Sequence, residues 1–193
     1  MTTLLTPKRV IARSPHSPGA VAIDLGLSVH WAAHNLGARL PQEYGGLYGW
    51  ADPSGEQVST QVDDYPSSTP PSEISGTPLD LARTRWGATW RMPTLTEFEE
   101  LVTECSWEEG SVDRIRGYRV IGRSGRSIFL PAAGSRSGLD LHARVGRANY
   151  WSGTLSGHPI AAYSLHIEDE GLMISPQRRD IGLAIRPVGD PRR

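Results

Sequence analysis

The chain has 193 residues, enough for one domain that buries roughly 70% of the surface exposed by its unfolded chain. Its 20 Lys and Arg against 21 Asp and Glu give a formal net charge of -1, so the overall charge gives no reason to expect a nucleic acid or an anionic membrane as partner. Cys105 is the single cysteine, which excludes an intrachain disulfide and a zinc site built from several cysteines. The 21 Gly and 15 Pro, with six Trp against two Phe, predict many turns held by a few large indole rings.

The first residues differ in pattern from the rest of the chain. Residues 1–20 have no periodic apolar pattern and contain three prolines, so we expect a flexible N-terminal segment there and a single domain over residues 21–193. The opening MTTLLTPKRV lacks an apolar run of the length that a signal peptide needs, and no stretch of about 18 residues is apolar throughout. The sequence therefore predicts no membrane insertion and leaves the localisation open.

The domain is predicted to begin with a half-buried strand, because apolar residues recur at every second position. These residues are Val21, Ile23, Leu25, Leu27, Val29 and Trp31. Residues 52–78 are rich in Ser, Thr, Pro, Gly and acids, which predicts a long surface loop with almost nothing to bury. Trp50, just before this loop, is favoured as a core residue over an exposed binding residue. After the loop, Leu79, Ala82 and Trp86 have the spacing of a short helical turn.

The strongest local signal is a helix start at Thr94. Its side chain can cap the first helical amides while Glu97 reaches back to it, as in a capping box. The following apolar residues form one stripe, which predicts an amphipathic helix that continues to about Cys105. The stripe consists of Leu95, Phe98, Leu101, Val102 and Cys105. Its position on the stripe makes Cys105 a core residue rather than a nucleophile.

The second half of the chain is predicted to consist of strands and turns. Residues 118–121 and 127–130 flank a Gly-containing turn, and residues 163–167 and 172–174 flank the turn at 168–171, so both pairs indicate hairpins. Period two in the second hairpin turns alternate side chains inward or outward. The inward set is Tyr163, Leu165 and Ile167, and the outward set is Ser164, His166 and Glu168. The alternating Ile181, Leu183 and Ile185 predict a last strand.

Six segments, in this order, resemble the Fibrobacter succinogenes major paralogous domain, a bacterial family of C-type-lectin-like fold. They are IDLGLSVHWAAHNLGA, EYGGLYGWAD, WGATWRMPTLTEFEEL, SIFLPAAGSRSG, NYWSGT and GLAIRPV. The resemblance spans about residues 21–188. RMPTLTEFEEL and GLAIRPV also look like the formylglycine-generating-enzyme branch of this fold. The expected fold is therefore α+β and C-type-lectin-like: short strands and hairpins, one or two helices, long loops, and first and last strands that pair.

Several relatives in this family are variable proteins of diversity-generating retroelements, whose 3′-end codons vary while the framework stays fixed. The positions that match the framework are Tyr150, Trp151, Ser152, Ala162, Tyr163, Leu165, Ile167, Arg179, Gly182, Arg186, Pro187 and Val188. The resemblance implies a ligand-binding surface at the positions that differ between copies. These twelve candidate residues are Ser156, His158, Ile160, Ser164, His166, Glu168, Met173, Gln177, Arg178, Asp180, Ile181 and Leu183.

The predicted function is therefore recognition of a protein or cell-surface ligand, the latter including a glycan, by a monomer without cofactor, metal or catalytic residues. Mixed polar and apolar side chains, such as those of the candidate set, are typical of binding patches. The alternative hypothesis is a non-diversified carbohydrate-binding or structural surface module, and adjacent reverse-transcriptase and template-repeat DNA would separate the two. One observation does not fit this kind of diversification. If the variable codons were all AAC, randomisation of their adenines could not yield Glu168, Met173 or Gln177.

Other kinds of site have weaker support. His158 and His166 lack further ligands at metal-binding spacing, so they are interpreted as surface histidines. His30 and His34 lie in strand-like and turn-like sequence, where structural roles are favoured. The calcium-binding tripeptides of the wider lectin fold do not occur. The formylglycine-generating reaction depends on active-site cysteines, which the lone Cys105 does not supply.

Overall fold

The computed structural model of the protein describes residues 20–61, 64–65, 69–142, 146–168 and 171–191. The predicted flexible segment lies outside these residues, except for Ala20. Within them the fold is mixed α+β, as predicted, with two helices, α1 (Leu81–Trp86) and α2 (Leu95–Glu104), and short strands in small sheets. The strands are β1 (Ala22–Ile23), β2 (His30–Ala32), β3 (Ser106–Val112), β4 (Ile115–Ile121), β5 (Ser127–Pro131), β6 (Ser135–Ser137), β7 (Asp140–His142), β8 (Ala148–Leu155), β9 (Ala161–Glu168), β10 (Gly171–Arg178) and β11 (Val188–Gly189).

The two ends of the described chain meet in one antiparallel sheet of order β1-β2-β11. Trp31 of β2 pairs with Val188 of β11, so the predicted pairing of the first and last strand regions is confirmed. The prediction of one continuous first strand is wrong, because the segment folds back as the β1–β2 hairpin. Gly26, with a φ of 77°, allows the reversal, and its N–H donates to the Asp24 carboxylate at 2.8 Å.

The last strand lies later in the chain than predicted. β11 begins at Val188, whereas Leu183 and Ala184 make single bridges to Tyr48 and Tyr150. The alternating apolar residues at 181–185 therefore mark a buried connecting segment rather than a strand that pairs along its length.

The sheet β3-β4-β5 contains the predicted hairpin of residues 118–130 and one strand that the sequence did not reveal. β3 pairs with β4 over its whole length, from Ser106↔Ile121 to Val112↔Ile115. Most of its side chains are exposed, so it lacks apolar alternation. The β3–β4 turn consists of Asp113 and Arg114, both with positive φ. This conformation suits a two-residue hairpin loop, but without glycine the dipeptide is a weak signal.

Both faces of the β8-β9-β10 sheet are covered by apolar residues over much of their area. Leu165 and Ile167 belong to one cluster with Phe98 and Leu101 of α2, which packs against all three strands. Ala162 and Trp151 belong to a second cluster that also contains Trp50 and Leu183. Two-sided burial is the feature that decides which side chains of this sheet reach solvent.

Helix α2 begins as predicted. The Glu97 N–H donates to Thr94 Oγ1 at 3.3 Å, and the Thr94 N–H donates to Glu97 Oε2 at 2.8 Å, which completes the capping box. Glu97 also pairs with Arg91 at 2.6 Å. Cys105 follows the helix and is half-buried against the first cluster, and burial raises the pKa of its thiol to about 11. The core assignment of Cys105 is consistent with this position.

The loop at residues 52–78 is more firmly attached than its composition predicts. The side chains of Tyr65 and Ile74 are buried, and Ile74 belongs to the second cluster. The Tyr65 hydroxyl donates to the Asp180 carbonyl at 3.2 Å. The prediction that this loop has almost nothing to bury is wrong. Two buried residues that lie far apart in a polar segment leave no periodic pattern in the sequence. Trp50 is fully buried, as favoured.

Arg186 is a fully buried cation held by three oxygen acceptors, two from residues 32–35 and one from β5. Its guanidinium donates to Asn35 Oδ1 at 2.8 Å, the Ala32 carbonyl at 2.9 Å and the Phe129 carbonyl at 2.6 Å. Burial lowers the pKa of Arg186 to about 10, which still leaves it charged at neutral pH. The side chain therefore ties the final segment to β2 and β5 at once.

Removing the helix cap should destabilise the protein. Thr94→Ala deletes the acceptor for the Glu97 N–H, so we expect the free energy of unfolding to fall by about 0.5–2 kcal/mol in urea titration. Thr96→Ala, at an exposed position in the same helical turn, is the matched control and should change it by less than about 0.5 kcal/mol. Equal losses in both variants would contradict the capping role.

Replacing the buried guanidinium of Arg186 should lower the free energy of unfolding by more than removing the helix cap does. Arg186→Met keeps the length of the side chain but leaves three buried oxygen acceptors without their donor, so we expect the free energy of unfolding to fall by about 2–5 kcal/mol. Arg119→Met on the exposed side of β4 is the control and should stay within about 0.5 kcal/mol of wild type. A variant at position 186 that unfolds at the wild-type urea concentration would show that these carbonyls do not depend on the arginine.

Candidate ligand-binding cleft

A polar cleft of about 180 Å³ lies between the β6–β7 hairpin and the β8-β9-β10 sheet. Four of the twelve candidate residues line it together with four that were not predicted. The lining residues are Ser135, His142, Arg147, Asn149, His166, Glu168, Gln177 and Leu183. The cleft is smaller than the ~300–1,000 Å³ of most small-molecule pockets, so it suits one projecting group of a larger ligand.

Strand pairing brings His166 to the centre of this surface. Asn149 of β8 and Met173 of β10 are its register partners, so the three side chains share one face of the sheet. Met173 is 56% exposed, whereas Asn149 is nearly buried. On this face of the sheet, side chains are therefore buried at β8 and accessible at the β10 edge.

The imidazole of His166 is held at both nitrogens. Nδ1 lies 2.8 Å from Asn149 Oδ1, and Nε2 lies 2.8 Å from Ser164 Oγ. An amide oxygen only accepts, so Nδ1 carries the proton, and in the neutral ring Nε2 accepts from the serine hydroxyl. Burial lowers the pKa of His166, and the negative charge of Glu168 opposes this shift. The ring is therefore fixed in orientation and favoured in its neutral form.

The other cleft side chains supply free hydrogen-bonding groups. Within the described part of the chain, the Gln177 amide, the Ser135 hydroxyl and the Asn149 amide N–H groups make no hydrogen bond to the protein. Arg147 Nε lies 3.8 Å from Glu168 Oε1, and both of these side chains are substantially exposed. The cleft thus combines uncharged donors and acceptors with one loose ion pair.

The twelve candidate residues divide into an accessible set and a buried set. The accessible set, at least partly exposed, comprises His158, Ile160, His166, Glu168, Met173, Gln177, Arg178 and Ile181. The buried set comprises Ser156, Ser164, Asp180 and Leu183. The candidate surface is therefore smaller than the sequence predicts.

The prediction that Ser164 points to solvent is wrong. Its side chain lies on the face opposite Leu165, as the period requires, but that face is also covered, and Ser164 is 0% exposed beside Trp151. Leu183 is 1% exposed within the second cluster. The predicted alternation of side chains is correct. Both faces of this sheet are covered, however, so a side chain on the face opposite Leu165 is also buried.

The other two buried residues have structural contacts. The Ser156 hydroxyl donates to the Ala161 carbonyl at 2.9 Å and accepts the His158 N–H at 3.2 Å, so it closes the turn before β9. The Asp180 carboxylate accepts from Arg178 Nε at 2.9 Å. Substitution of either residue removes a contact that shapes the backbone beneath the surface.

Four cleft residues were not identified as candidates from the sequence. Asn149 stands in the NYWSGT segment, and Ser135, His142 and Arg147 lie on or near the β6–β7 hairpin. A bridge between Gly134 and Ala148 brings that hairpin beside β8. Tertiary contacts of this kind assemble the four residues, so no local pattern could indicate them.

The Ser164–His166–Asn149 arrangement has the order of a nucleophile, a base and an orienting residue, but its geometry does not suit catalysis. Ser164 Oγ is buried and also lies 3.3 Å from the Ser175 carbonyl, so an electrophile has no approach to it. Cys105, with its raised pKa, is a thiol at neutral pH. Among the described residues no three His, Cys, Asp or Glu side chains are grouped to hold a metal ion, and no helix there is long and apolar enough to cross a bilayer. The cleft offers a ligand hydrogen bonds, van der Waals contacts and the charges of Arg147 and Glu168.

Comparison of the chain with protein-family models, with curated proteins and with solved structures finds no match. The function must therefore be argued from the cleft and its scaffold.

Two apolar members of the candidate set should respond differently to truncation. Leu183→Ala leaves a cavity in the second cluster, so we expect the free energy of unfolding to fall by about 2–5 kcal/mol. Met173→Ala removes an exposed side chain and should change it by less than about 0.5 kcal/mol. Chemical denaturation of both variants measures the difference, and similar losses would contradict the division into accessible and buried sets.

Proposed function

We propose that the protein is a ligand-binding protein that presents variable side chains on a fixed scaffold of C-type-lectin-like fold. The observation that carries the proposal is the division between the two residue classes. All the positions that match the family framework are buried except Tyr163, which is half-exposed. Eight of the twelve positions expected to differ between copies are accessible, and they lie on or beside β9 and β10.

The physical requirement for such a surface is tolerance of substitution. A change outside the core generally alters stability within about 0.5 kcal/mol, whereas a change in a packed core costs several times more. Exposed or half-exposed side chains such as Met173, Gln177 and Arg178 can therefore vary while the underlying sheet remains folded. This favours recognition of a protein or cell-surface target, with diversification by a retroelement as the origin of the variation.

The scaffold supports the same proposal. The chain-end segments pair in one sheet, α2 begins with the expected capping box, and Arg186 ties the final segment to two other elements. These contacts leave the cleft and its accessible edge as a surface on a rigid base. A rigid scaffold reduces the entropy cost of ordering side chains when a ligand binds. This reduction is important because a patch of eight residues is smaller than the roughly 20–30 residues a side of a standard interface.

Binding should be lost when accessible residues in the cleft and beside it are truncated. The purified protein is applied to arrays of bacterial surface proteins and of glycans, beside a variant with Arg147→Ala, Met173→Ala and Gln177→Ala. These substitutions leave the His166 hydrogen bonds intact, so both proteins should melt alike. We expect at least a tenfold loss of binding to the specific partner, on the scale of the contacts removed.

The matched control carries Glu99→Ala, Glu108→Ala and Arg119→Ala, at exposed positions of α2, β3 and β4. It should bind like wild type. Retained binding by the cleft variant, or equal loss in the control, would place the binding surface elsewhere and contradict the site.

A further inference from the structure

The charges of the cleft balance, and this restricts what it can bind. Arg147 and Glu168 are its permanent cation and anion, and their 3.8 Å separation lets each neutralise the other. The uncharged groups of Ser135, Asn149 and Gln177 supply the remaining donors and acceptors, so an uncharged hydrogen-bonding group is matched. A charged group would have to separate the Arg147–Glu168 pair or enter without an opposite charge beside it.

His166 is the cleft imidazole that is held at both nitrogens, and its charge can change near neutral pH. The charged or titratable groups that face it are Arg147 before β8, His142 of β7 and Glu168 of its own strand. From β10, the uncharged Met173 and Gln177 lie on its face of the sheet. While the His166 ring is neutral, the charges of Arg147 and Glu168 balance, and protonation of the ring adds a positive charge that this pair does not offset.

We propose that the cleft accepts an uncharged hydrogen-bonding group, a hydroxyl or an amide, and that it does so while the His166 imidazole is neutral. This inference rests on the proposed ligand-binding function and adds the chemistry of the bound group and the pH dependence of binding. Asn149 and Ser164 are positioning residues, because they act through the imidazole that they orient.

The sign of the pH dependence follows from burial. A ligand that covers the ring removes more water from it, which disfavours the protonated form further. The complex therefore binds protons less tightly than the free protein does. Burial already lowers the pKa of His166 in the free protein, so affinity is full at pH values above that pKa. It should fall by up to about tenfold per pH unit as the pH drops through the free-protein pKa.

NMR titration of the whole protein with small probes tests the chemistry of the group. N-acetylglucosamine, glucuronic acid and glucosamine provide a neutral, an anionic and a cationic sugar, and N-acetylserine amide provides a neutral peptide-like probe. At pH 7.5 we expect one or both neutral probes to shift the side-chain amide signals of Asn149 and Gln177, with millimolar affinity. We expect smaller shifts from the charged sugars. Whether the sugar or the peptide-like probe binds more tightly distinguishes the two sources of the group.

The same titration gives the pKa of His166 with and without the tighter neutral probe. Saturation with that probe should lower the pKa, and affinity should weaken as the pH is lowered through the free-protein pKa that the same titration measures. His142→Ala is the control and should keep this pH dependence. Asn149→Asp places a carboxylate against Nδ1, so it should raise the pKa of His166 by about 1–3 units.

Any of three results would overturn the inference: no probe shifts the cleft signals, a charged sugar binds more tightly than both neutral probes, or saturation leaves the pKa of His166 unchanged. An unchanged pKa of His166 in Asn149→Asp would remove the positioning role of Asn149. These outcomes are distinct from failure of the proposed function. If the array partner still requires Arg147, Met173 and Gln177, the cleft remains the binding site and only its chemistry is wrong.

Discussion

The buried guanidinium of Arg186 is the contact on which the arrangement of the other elements depends. A cation without water needs acceptors in several directions, and here they are the carbonyls of Ala32 and Phe129 and the amide oxygen of Asn35. Asn35 also donates to the Tyr44 carbonyl at 2.8 Å, which extends the network to a residue that packs against the first cluster. Because Arg186 stands two residues before β11, satisfying its donors positions the strand that pairs with β2.

A second constraint follows from this arrangement. The segment that leads to Arg186 contains Leu183 and Ile185, which cover the face of the β8-β9-β10 sheet opposite α2. The sheet is left accessible at its β10 edge and around His166, where the cleft opens. The packing that stabilises the fold therefore also limits the surface available for a ligand. A framework of this kind separates residues that must be kept from residues that are free to change.

The sequence predicted features that depend on near neighbours in the chain. The capping box at Thr94, the amphipathic stripe of α2 and the hairpins β4–β5 and β9–β10 all follow from patterns a few residues long. β3 was missed because its exposed side chains carry no apolar period, and the β1–β2 reversal was missed because a run of alternating apolar residues hid the turn at Gly26.

The candidate site was predicted less completely, for a different reason. The resemblance and the strand period indicated His166, Glu168 and Gln177, but the opposite wall of the cleft comes from β6, β7 and β8. The strand period predicts the face of the sheet on which Ser164 lies, but it does not predict that Ser164 is buried, since burial depends on what packs over the sheet. The contacts of Asn149 with His166 join residues 17 positions apart and become visible only once β8 and β9 are paired.

Comparison of gene copies from independent isolates tests whether a fixed framework is separate from a variable surface. Non-silent differences should concentrate at the accessible set and should be rare at the buried framework positions, including Trp151, Leu165 and Arg186. Differences spread evenly along the chain, or as frequent at those buried positions as at Met173 and Gln177, would contradict this separation.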